Sequence, residues 1–326
     1  MTGSEEQDAF EVPARRLAVP SSISPEAQGM LALGPMDGPP RPALDDADGW
    51  RALVSAADAM LAESMGFLAD QAKAEVTKLD VGGVTVYDLL PDGSPTDDPR
   101  VVLEIHGGAL IMGGGDVARV LALGSLPGLR RRMWAVDYRM PPDHPYPAGL
   151  DDCVSVYRAL LEQHRPEDIV VRGGSAGANL GAALILRARD EGLPLPAGAV
   201  LLTPELDLTE SGDSFQTNLG VDTTLTASLM PENLLYAGGH DLGDPYLSPL
   251  FGDFARGFPP TLLTAGTRDL FLSNAVRMHR ALRRAGVRAD LHVIEAGPHG
   301  AFFGTAPEDR EIEAEVRQFL AEVWSD

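Results

Sequence analysis

The stretch VVRGGSAGAN, residues 170–179, constrains the fold more than any other part of the chain. It begins as an apolar run and ends in small residues that suit a helix, with Ser175 between the two halves. A Gly-x-Ser-x-Gly turn from strand to helix is so tight that its serine is strained, and Gly173 and Gly177 leave room for the backbone to fold over. The Ser175 hydroxyl would then project at a helix N-terminus, where the dipole favours negative charge. The motif therefore predicts a nucleophile at a strand-to-helix junction.

Apolar runs that suit strands alternate with helical patterns along most of the chain. Several of these runs are apolar at consecutive positions, as in strands buried on both faces. The predicted strands are 84–90, 101–107, 133–139, 168–174, 197–204, 260–267 and 289–296, and the predicted helices are 151–163, 176–191, 272–285 and a last one from about residue 310. This alternation predicts a mainly parallel sheet with helices on both faces.

Three parts of the chain differ in character. Residues 1–45 are rich in Pro, Gly, Ser and charge, which predicts an irregular N-terminal segment. Residues 46–75 carry a helical pattern, and residues 76–326 hold the alternating strands and helices. The interval from Pro204 to Pro260 is far longer than a crossover needs. We therefore expect a cap, built from the helix at 46–75 and an insertion at about 205–245.

Composition and charge exclude several function classes. The 326 residues are 44% hydrophobic and carry a formal net charge of −22, so phosphate backbones and anionic membrane surfaces are disfavoured as partners. The acidic N-terminus lacks the apolar region of a secretory signal, and we identify no run long enough to span a membrane. The single cysteine, Cys153, is assigned to packing. We expect a cytoplasmic location.

A serine nucleophile needs a base, and the base needs an acid that fixes its tautomer. His299 follows the last predicted strand in a Gly/Pro loop, where an imidazole could reach Ser175. Asp269 follows the preceding strand directly, and the order Ser, Asp, His is the one expected of an α/β-hydrolase. Glu295 and Glu205 are alternative acids of lower rank, the first because it stands too near His299 along the chain. The histidines at 164, 279 and 292 are assigned to the surface or to structure.

The oxyanion of an acyl-transfer reaction needs amide donors. The segment EIHGGALIMGGG leaves a strand through His106 and enters a glycine-rich loop, where Gly107, Gly108 and Ala109 let the backbone approach a substrate. The amide of Ala176, directly after the nucleophile, is a further donor. We assign His106 to anchoring this loop by hydrogen bonding. A loop of this kind could also bind phosphate, but it lacks the Gly-Lys-Ser/Thr ending of a P-loop.

With these motifs in place, the chain resembles the hormone-sensitive-lipase-like carboxylesterases (bacterial family IV) of the α/β-hydrolase superfamily. HGGA is similar to the family's H-G-G-G and GGSAG to its G-D-S-A-G, and residues 136–152, 244–253 and 260–275 are similar to its later blocks. The resemblance covers residues 78–324. It implies an α/β-hydrolase fold with a mainly parallel eight-stranded sheet flanked by helices, and a helical cap.

Carried over residue by residue, the resemblance implies that Ser175 is the nucleophile, Asp269 the acid and His299 the base. Gly174 stands where the family has an acidic residue and Ala109 where it has a third glycine. Glu205 stands where the family often has an apolar or aromatic residue. These departures leave the chemistry intact and bear on the substrate.

The sequence thus predicts a serine carboxylesterase for short- to medium-chain esters of small molecules, with no metal or cofactor. A lactone hydrolase or a deacetylase of a secondary metabolite uses the same triad and stays an alternative, and so does a non-catalytic small-molecule binder on the same scaffold. Met112, Phe215 and Met230 are assigned either to the pocket or to the core. We expect a monomer or a homodimer and no nucleic-acid or membrane partner.

Overall fold

A computed structural model describes residues 12–35, 38–126 and 129–324 of the chain. Its described residues form one eight-stranded sheet in the order β1-β2-β4-β3-β5-β6-β7-β8. The strands are β1 (Ala74–Val81), β2 (Val84–Pro91), β3 (Val101–Ile105), β4 (Arg132–Asp137), β5 (Ile169–Gly174), β6 (Gly198–Leu202), β7 (Thr261–Gly266) and β8 (Ala289–Ile294). β2 pairs antiparallel with β1 and β4, and every other pairing is parallel. The predicted fold class is confirmed.

Helices cover both faces of the sheet. The described helices are α1 (Pro25–Ala32), α2 (Ala47–Gln71), α3 (Asp116–Ser125), α4 (Ala148–Gln163), α5 (Ala176–Asp190), α6 (Ser214–Thr217), α7 (Met230–Ala237), α8 (Leu272–Arg284) and α9 (Pro307–Val323). The larger core joins α4, α5 and α8 to one face of the sheet, with Tyr157 and Leu184 fully buried. The smaller core joins α3 and α9 to the other face. Consecutive apolar residues in β3, β5 and β6 are therefore buried on both sides, as the pattern predicts.

The N-terminal segment is partly regular, which corrects the prediction of irregular structure over residues 1–45. α1 begins after Ser24, whose hydroxyl accepts a hydrogen bond from Ala27 N at 3.2 Å, and Pro25 occupies its first turn. Ser24 also bonds to the Glu308 carboxylate on α9, and Ala27 is fully buried. Residues 1–11 and 36–37 of this segment lie outside the described residues.

α2 begins close to the predicted position, and it lies largely exposed on the surface. Its Asp58 carboxylate accepts a hydrogen bond from Gly113 N at 2.7 Å, and the helix contacts α3. Met60 and Phe67 are each 71% exposed. Within the described residues α2 alone is long and apolar enough to cross a membrane by length and composition, which corrects the expectation that no run has this length. In the structure the helix lies against the glycine-rich loop that follows β3.

The interval between β6 and β7 is irregular for most of its length. It holds the short α6, α7 and two single helical turns at Pro249–Phe251 and Phe254–Arg256. Arg41 Nε donates to the buried Glu232 carboxylate of α7 at 2.7 Å, so the N-terminal segment is tied to this interval. The loops after β3, β5, β6, β7 and β8 all leave the same, carboxyl-terminal edge of the parallel strands, where ligand sites of open α/β sheets lie.

Candidate active site

Ser175 occupies a sharp turn between β5 and α5. Its φ is +55° and its ψ is −121°, so the predicted strain is confirmed. A Cβ added to Gly177 would lie 1.9 Å from Ile105 O, and one added to Gly173 would lie 2.4 Å from the Gly177 carbonyl. Only glycine fits at these two positions, because backbone atoms approach there within contact distance. The Ser175 amide donates to Leu202 O at 2.8 Å, which fixes the turn to β6.

The structure brings Ser175, His299 and Asp269 together from three separate loops. The distance from His299 Nε2 to Ser175 Oγ is 2.9 Å, and that from His299 Nδ1 to Asp269 Oδ1 is 3.2 Å. With a neutral imidazole, the serine hydroxyl donates to Nε2 and Nδ1–H donates to the carboxylate. The amide of Phe271 donates to the same Asp269 oxygen at 2.8 Å, and the Asp269 side chain is fully buried. The arrangement can transfer a proton from the hydroxyl to the ring.

A second buried carboxylate, Asp222, supports the His299 loop and was missed by the sequence reasoning. It accepts backbone hydrogen bonds from Thr224 N at 2.8 Å, Leu270 N at 2.8 Å and His299 N at 3.2 Å. The side chain therefore joins the long irregular interval to the loops after β7 and β8. The local signal for it is the Asp-x-Thr spacing, because an aspartate often accepts from the amide two residues later. Nothing local indicates its contact with His299.

The surroundings of His299 favour its charged form. Burial by itself lowers the pKa of the imidazole, but neighbouring carboxylates outweigh it, so the pKa is raised above 6.5. Asp269 contributes most through its charge and its hydrogen bond, and the charges of Asp222 and of Glu205 in its ionised form add to it. The ring of Phe271 packs edge-on against the imidazole with centroids 4.8 Å apart, which limits its rotation. An imidazolium formed during proton transfer would be stabilised here.

The two alternative acids lie in different environments. Glu295 is exposed. Glu205 is buried, its amide donates to Ser175 O at 3.3 Å, and burial raises the pKa of its carboxyl to about 8, with the charge of His299 opposing the rise. Glu205 is therefore largely protonated at neutral pH. Neither residue makes the hydrogen bond to the imidazole that Asp269 makes.

The loop after β3 presents backbone amides beside the serine. Gly108 has a φ of +128° and Ala109 a φ of +50°, and a Cβ added to Gly107 would lie 3.4 Å from Ser175 Cβ. The hydrogen bonds of the described residues use none of the amides of Gly107, Gly108 and Ala109 as donors. The amide of Ala176, in the first turn of α5, is also free of an intrahelical partner. These four donors can cradle an oxyanion.

His106 anchors this loop through ring stacking and a hydrogen bond. Its ring stacks on Tyr138 with centroids 4.2 Å apart, and its Nδ1 lies 2.7 Å from Gly107 O. The Tyr138 hydroxyl donates to His106 O at 3.0 Å. Burial lowers the pKa of His106, so the ring is neutral and donates from Nδ1. The geometry is that of an anchor for the loop.

A cavity of about 510 Å³ opens at the serine. Residues of α2 and of the segment between β6 and β7 form one wall, and the glycine-rich loop and the sheet form the other. The lining includes Leu61, Met65, Gly107, Met112, Gly174, Ser175, Leu225, Leu229, His299 and Phe303. Met112 thus lies at the pocket, whereas Phe215 packs against Phe271 in a small core.

A family model described as alpha/beta hydrolase fold matches residues 102–303, which contain the serine, the carboxylate and the histidine. The chain belongs to the α/β-hydrolase family. Within this family it is a hormone-sensitive-lipase-like protein. The crystal structure of an esterase from the bacterial hormone-sensitive lipase family is 30% identical, with a TM-score of 0.76, and the match covers 92% of this chain and 99% of that one.

Other relatives of this α/β-hydrolase carry similar names. The crystal structure of another esterase is 35% identical with a TM-score of 0.89, over 96% of this chain and 98% of that one. An esterase of Acinetobacter venetianus is 30% identical over 75% of this chain and 81% of its own length. An acetyl-hydrolase of Streptomyces hygroscopicus is 38% identical over 58% of this chain and 64% of its own length.

Proposed function

We propose that the protein is a serine carboxylesterase that hydrolyses short- to medium-chain esters of small molecules through an acyl-enzyme. The observation that carries this proposal is the continuous hydrogen-bonded chain from Ser175 through His299 to Asp269, beside amides that have no other acceptor. The esterase relatives support it.

The first half of the reaction forms the acyl-enzyme. Ser175 Oγ attacks the ester carbonyl carbon while His299 Nε2 takes the hydroxyl proton, because the two atoms are 2.9 Å apart. The carbonyl oxygen gains the negative charge and accepts hydrogen bonds from the amides of the loop after β3 and of Ala176. The imidazolium then gives its proton to the alcohol oxygen as the C–O bond breaks, and the alcohol leaves.

The second half repeats this chemistry with water. His299 takes a proton from water, the hydroxide adds to the acyl carbon, and the tetrahedral intermediate expels Ser175 Oγ, which regains a proton from the ring. Asp269 keeps Nδ1 protonated and stabilises the imidazolium in both halves. Asp222 holds the loop that carries the ring and adds a second negative charge near it.

Replacement of the nucleophile tests the proposal. Ser175→Ala removes the attacking oxygen, and we expect kcat for p-nitrophenyl acetate to fall by roughly three to six orders of magnitude. Ser94→Ala, which alters a half-buried serine in a turn far along the chain from the site, is the matched control. A fluorophosphonate should label the parent protein and the control but not Ser175→Ala. If the Ser175 variant keeps more than about a tenth of the parent's activity, another group attacks the ester.

A deacetylase is the second candidate, because the acetyl-hydrolase relative carries that name. It uses the same triad, so only the substrate distinguishes it from a general carboxylesterase. Acetate, butyrate and octanoate esters of one alcohol should be compared with a medium-ring lactone at equal concentration. A sharp optimum at acetate favours the deacetylase, whereas a broad response up to medium chains favours the carboxylesterase.

A further inference from the structure

The cavity at Ser175 continues along the sheet to an ion pair. Glu104 on β3 and Arg172 on β5 are direct register partners, and Arg172 Nη1 donates to Glu104 Oε1 at 2.5 Å. Both residues line the cavity together with Leu121 and Ser125 of α3. The pair lies between the sheet and the helices α3 and α9, on the face whose core is otherwise apolar.

The pair is buried and incompletely hydrogen bonded. Glu104 is 5% exposed, and its Oε2 is buried without a hydrogen-bond partner among the residues that the structure describes. Arg172 Nε is also buried without a hydrogen-bond partner among the described residues. Within these residues, Arg172 donates a hydrogen bond only from Nη1. The Ser125 hydroxyl lies within hydrogen-bond reach of the Glu104 carboxylate and also 3.1 Å from Leu121 O, and its single proton can satisfy only one of these acceptors at a time. Most buried polar atoms in proteins have a hydrogen-bond partner, so we expect a bound molecule to supply one to this pair.

The exposed part of Arg172 faces the cavity. Its side chain is 12% accessible although β5 is a central strand covered by helices on both sides, so the accessible atoms face the pocket rather than the bulk solvent. The cavity is therefore lined by a cationic donor whose charge is balanced by Glu104. A second carboxylate brought here would share one guanidinium with Glu104, and like charges at that distance repel. A neutral polar group suits the site better.

Gly174 leaves the passage to this pair open. It lies on β5 between Arg172 and Ser175, on the same strand face as Arg172, and about 7 Å along the strand from it. A Cβ added to Gly174 would come no nearer than 3.9 Å to another group, the Leu202 carbonyl oxygen. The space beside the nucleophile is thus free where most residues would place a side chain.

We propose that the pocket arm past Gly174 binds the acyl part of the substrate, and that Arg172 and Glu104 recognise a neutral hydroxyl group at its far end. The inference rests on the proposed esterase function. A hydroxyl can accept from the guanidinium and donate to the carboxylate, so it satisfies both members of the pair. The acyl part is the one assigned here because it stays bonded to Ser175, which directly follows Gly174, whereas the alcohol leaves after the first half of the reaction.

A matched pair of substrates tests the inference on the unmodified protein. The p-nitrophenyl esters of ω-hydroxyhexanoic acid and heptanoic acid have the same length and differ only in a terminal hydroxyl or methyl group. We expect kcat/KM for the hydroxy ester to exceed that for heptanoate by roughly tenfold, because hydrogen bonds to charged groups outweigh the loss of one methyl contact. The ester of adipic acid, with a terminal carboxylate, should rank below the hydroxy ester. A preference for heptanoate overturns the inference, and so does a preference for the carboxylate.

Variants separate this inference from the proposed function. In Glu104→Met/Arg172→Met both charges are removed together, and the preference should reverse toward heptanoate. The double variant Asp88→Met/Arg132→Met, which removes a cross-strand ion pair outside the cavity, is the matched control and should keep the parent's ratio. Each variant's rate on p-nitrophenyl acetate is the reference for its longer esters. An unchanged ratio in the first variant refutes the inference alone, whereas acetate hydrolysis that survives Ser175→Ala refutes the proposed function.

A second variant keeps the test valid if the double variant does not fold. Gly174→Leu fills the passage beside the serine, and it should lower kcat/KM for both seven-atom acyl chains at least tenfold relative to acetate. Equal loss on acetate and on the long esters would show that the acyl chain does not pass Gly174, and the inference would then fail.

Discussion

Replacing Asp222 by Asn should affect both stability and the pH dependence of hydrolysis. The carboxylate accepts from Thr224 N and Leu225 N on Oδ1, and from Leu270 N on Oδ2. An asparagine keeps one acceptor oxygen, but its NH2 group takes the place of the second oxygen and faces a backbone N–H that needs an acceptor. Keeping the two Oδ1 bonds places that N–H against Leu270 N, so at least one charge-assisted bond is lost. We expect a cost of about 3 kcal/mol in the free energy of unfolding.

The same substitution should alter the base. The charge of Asp222 raises the pKa of His299, so removing it lowers that pKa. Because the neutral imidazole is the active form, the acid limb of the pH profile of kcat/KM should move to lower pH. Urea unfolding measures the change in stability, and the hydrolysis of p-nitrophenyl acetate between pH 5 and 9 measures the position of the acid limb.

Asp213→Asn provides the comparison for Asp222→Asn, because Asp213 is an exposed aspartate of the same segment whose side chain does not cap α6. It should change neither measurement. If Asp222→Asn loses stability but its acid limb stays in place or moves to higher pH, Asp222 acts only as a backbone anchor. The electrostatic part of the reasoning is then wrong.

Three further substitutions have definite expected outcomes. Glu205→Gln removes a carboxyl whose pKa is about 8 and whose ionisation favours the imidazolium, so the acid limb of the kcat/KM profile should move to lower pH and kcat/KM should change less between pH 7 and 9. Gly177→Ala places a Cβ 1.9 Å from Ile105 O, and we expect loss of hydrolysis and a free energy of unfolding lower by at least about 3 kcal/mol, measured in urea. Arg41→Met leaves the buried Glu232 carboxylate without its cation, which should cost about 3 kcal/mol in the same measurement.

Each of these substitutions has a control of the same type. Glu295→Gln removes an exposed carboxyl and should leave the pH profile unchanged. Gly66→Ala adds a methyl group where no atom lies within 4 Å on α2, and it should not destabilise the protein. Arg51→Met breaks exposed ion pairs and should cost less than about 1 kcal/mol. If a control variant shows the same change as the variant it is compared with, the contact invoked for that variant is not the cause of the change.

Most of the strands that the sequence predicted are buried on both faces, and the edge strand β8 is the exception. β3 and β5 each begin with three consecutive apolar residues, 101–103 and 169–171, because helices cover both sides of the sheet, and such runs are visible without any long-range information. β1 was missed because it lies at the sheet edge and alternates between half-buried and exposed residues. The turn Gly82-Gly83, with φ of +63° and +90°, was the local signal for its hairpin with β2.

Helices that begin without a strong local signal were missed as well. α3 follows Gly115, which has a positive φ and makes no side-chain cap, so the glycine-rich loop hides the start of the helix. The start of α1 does carry a signal, the pair Ser24-Pro25, but the surrounding prolines and glycines favoured irregular structure. Composition describes a whole segment, whereas a cap acts on one turn.

The residues of the candidate site also differ in whether a local signal marks them in the sequence. Ser175, Asp269 and His299 could be proposed from the sequence because each follows a recognisable strand, and loops from one edge of a parallel sheet converge. Asp222 and the Glu104–Arg172 pair could not, since their partners are distant along the chain and no periodic pattern marks them. The cytoplasmic location, the oligomeric state and the division into cap and catalytic domain stay predictions.

The close crossing of Gly177 over Ile105 has a consequence for how this protein could diversify. It fixes the attacking oxygen through contacts between main-chain atoms, which do not depend on the side chains that surround the ester. On the opposite wall, α2 is largely exposed and meets the glycine-rich loop through the hydrogen bond from Gly113 N to the Asp58 carboxylate. New substrates can therefore be accommodated by exchanging residues on that wall while the reacting atoms stay where they are.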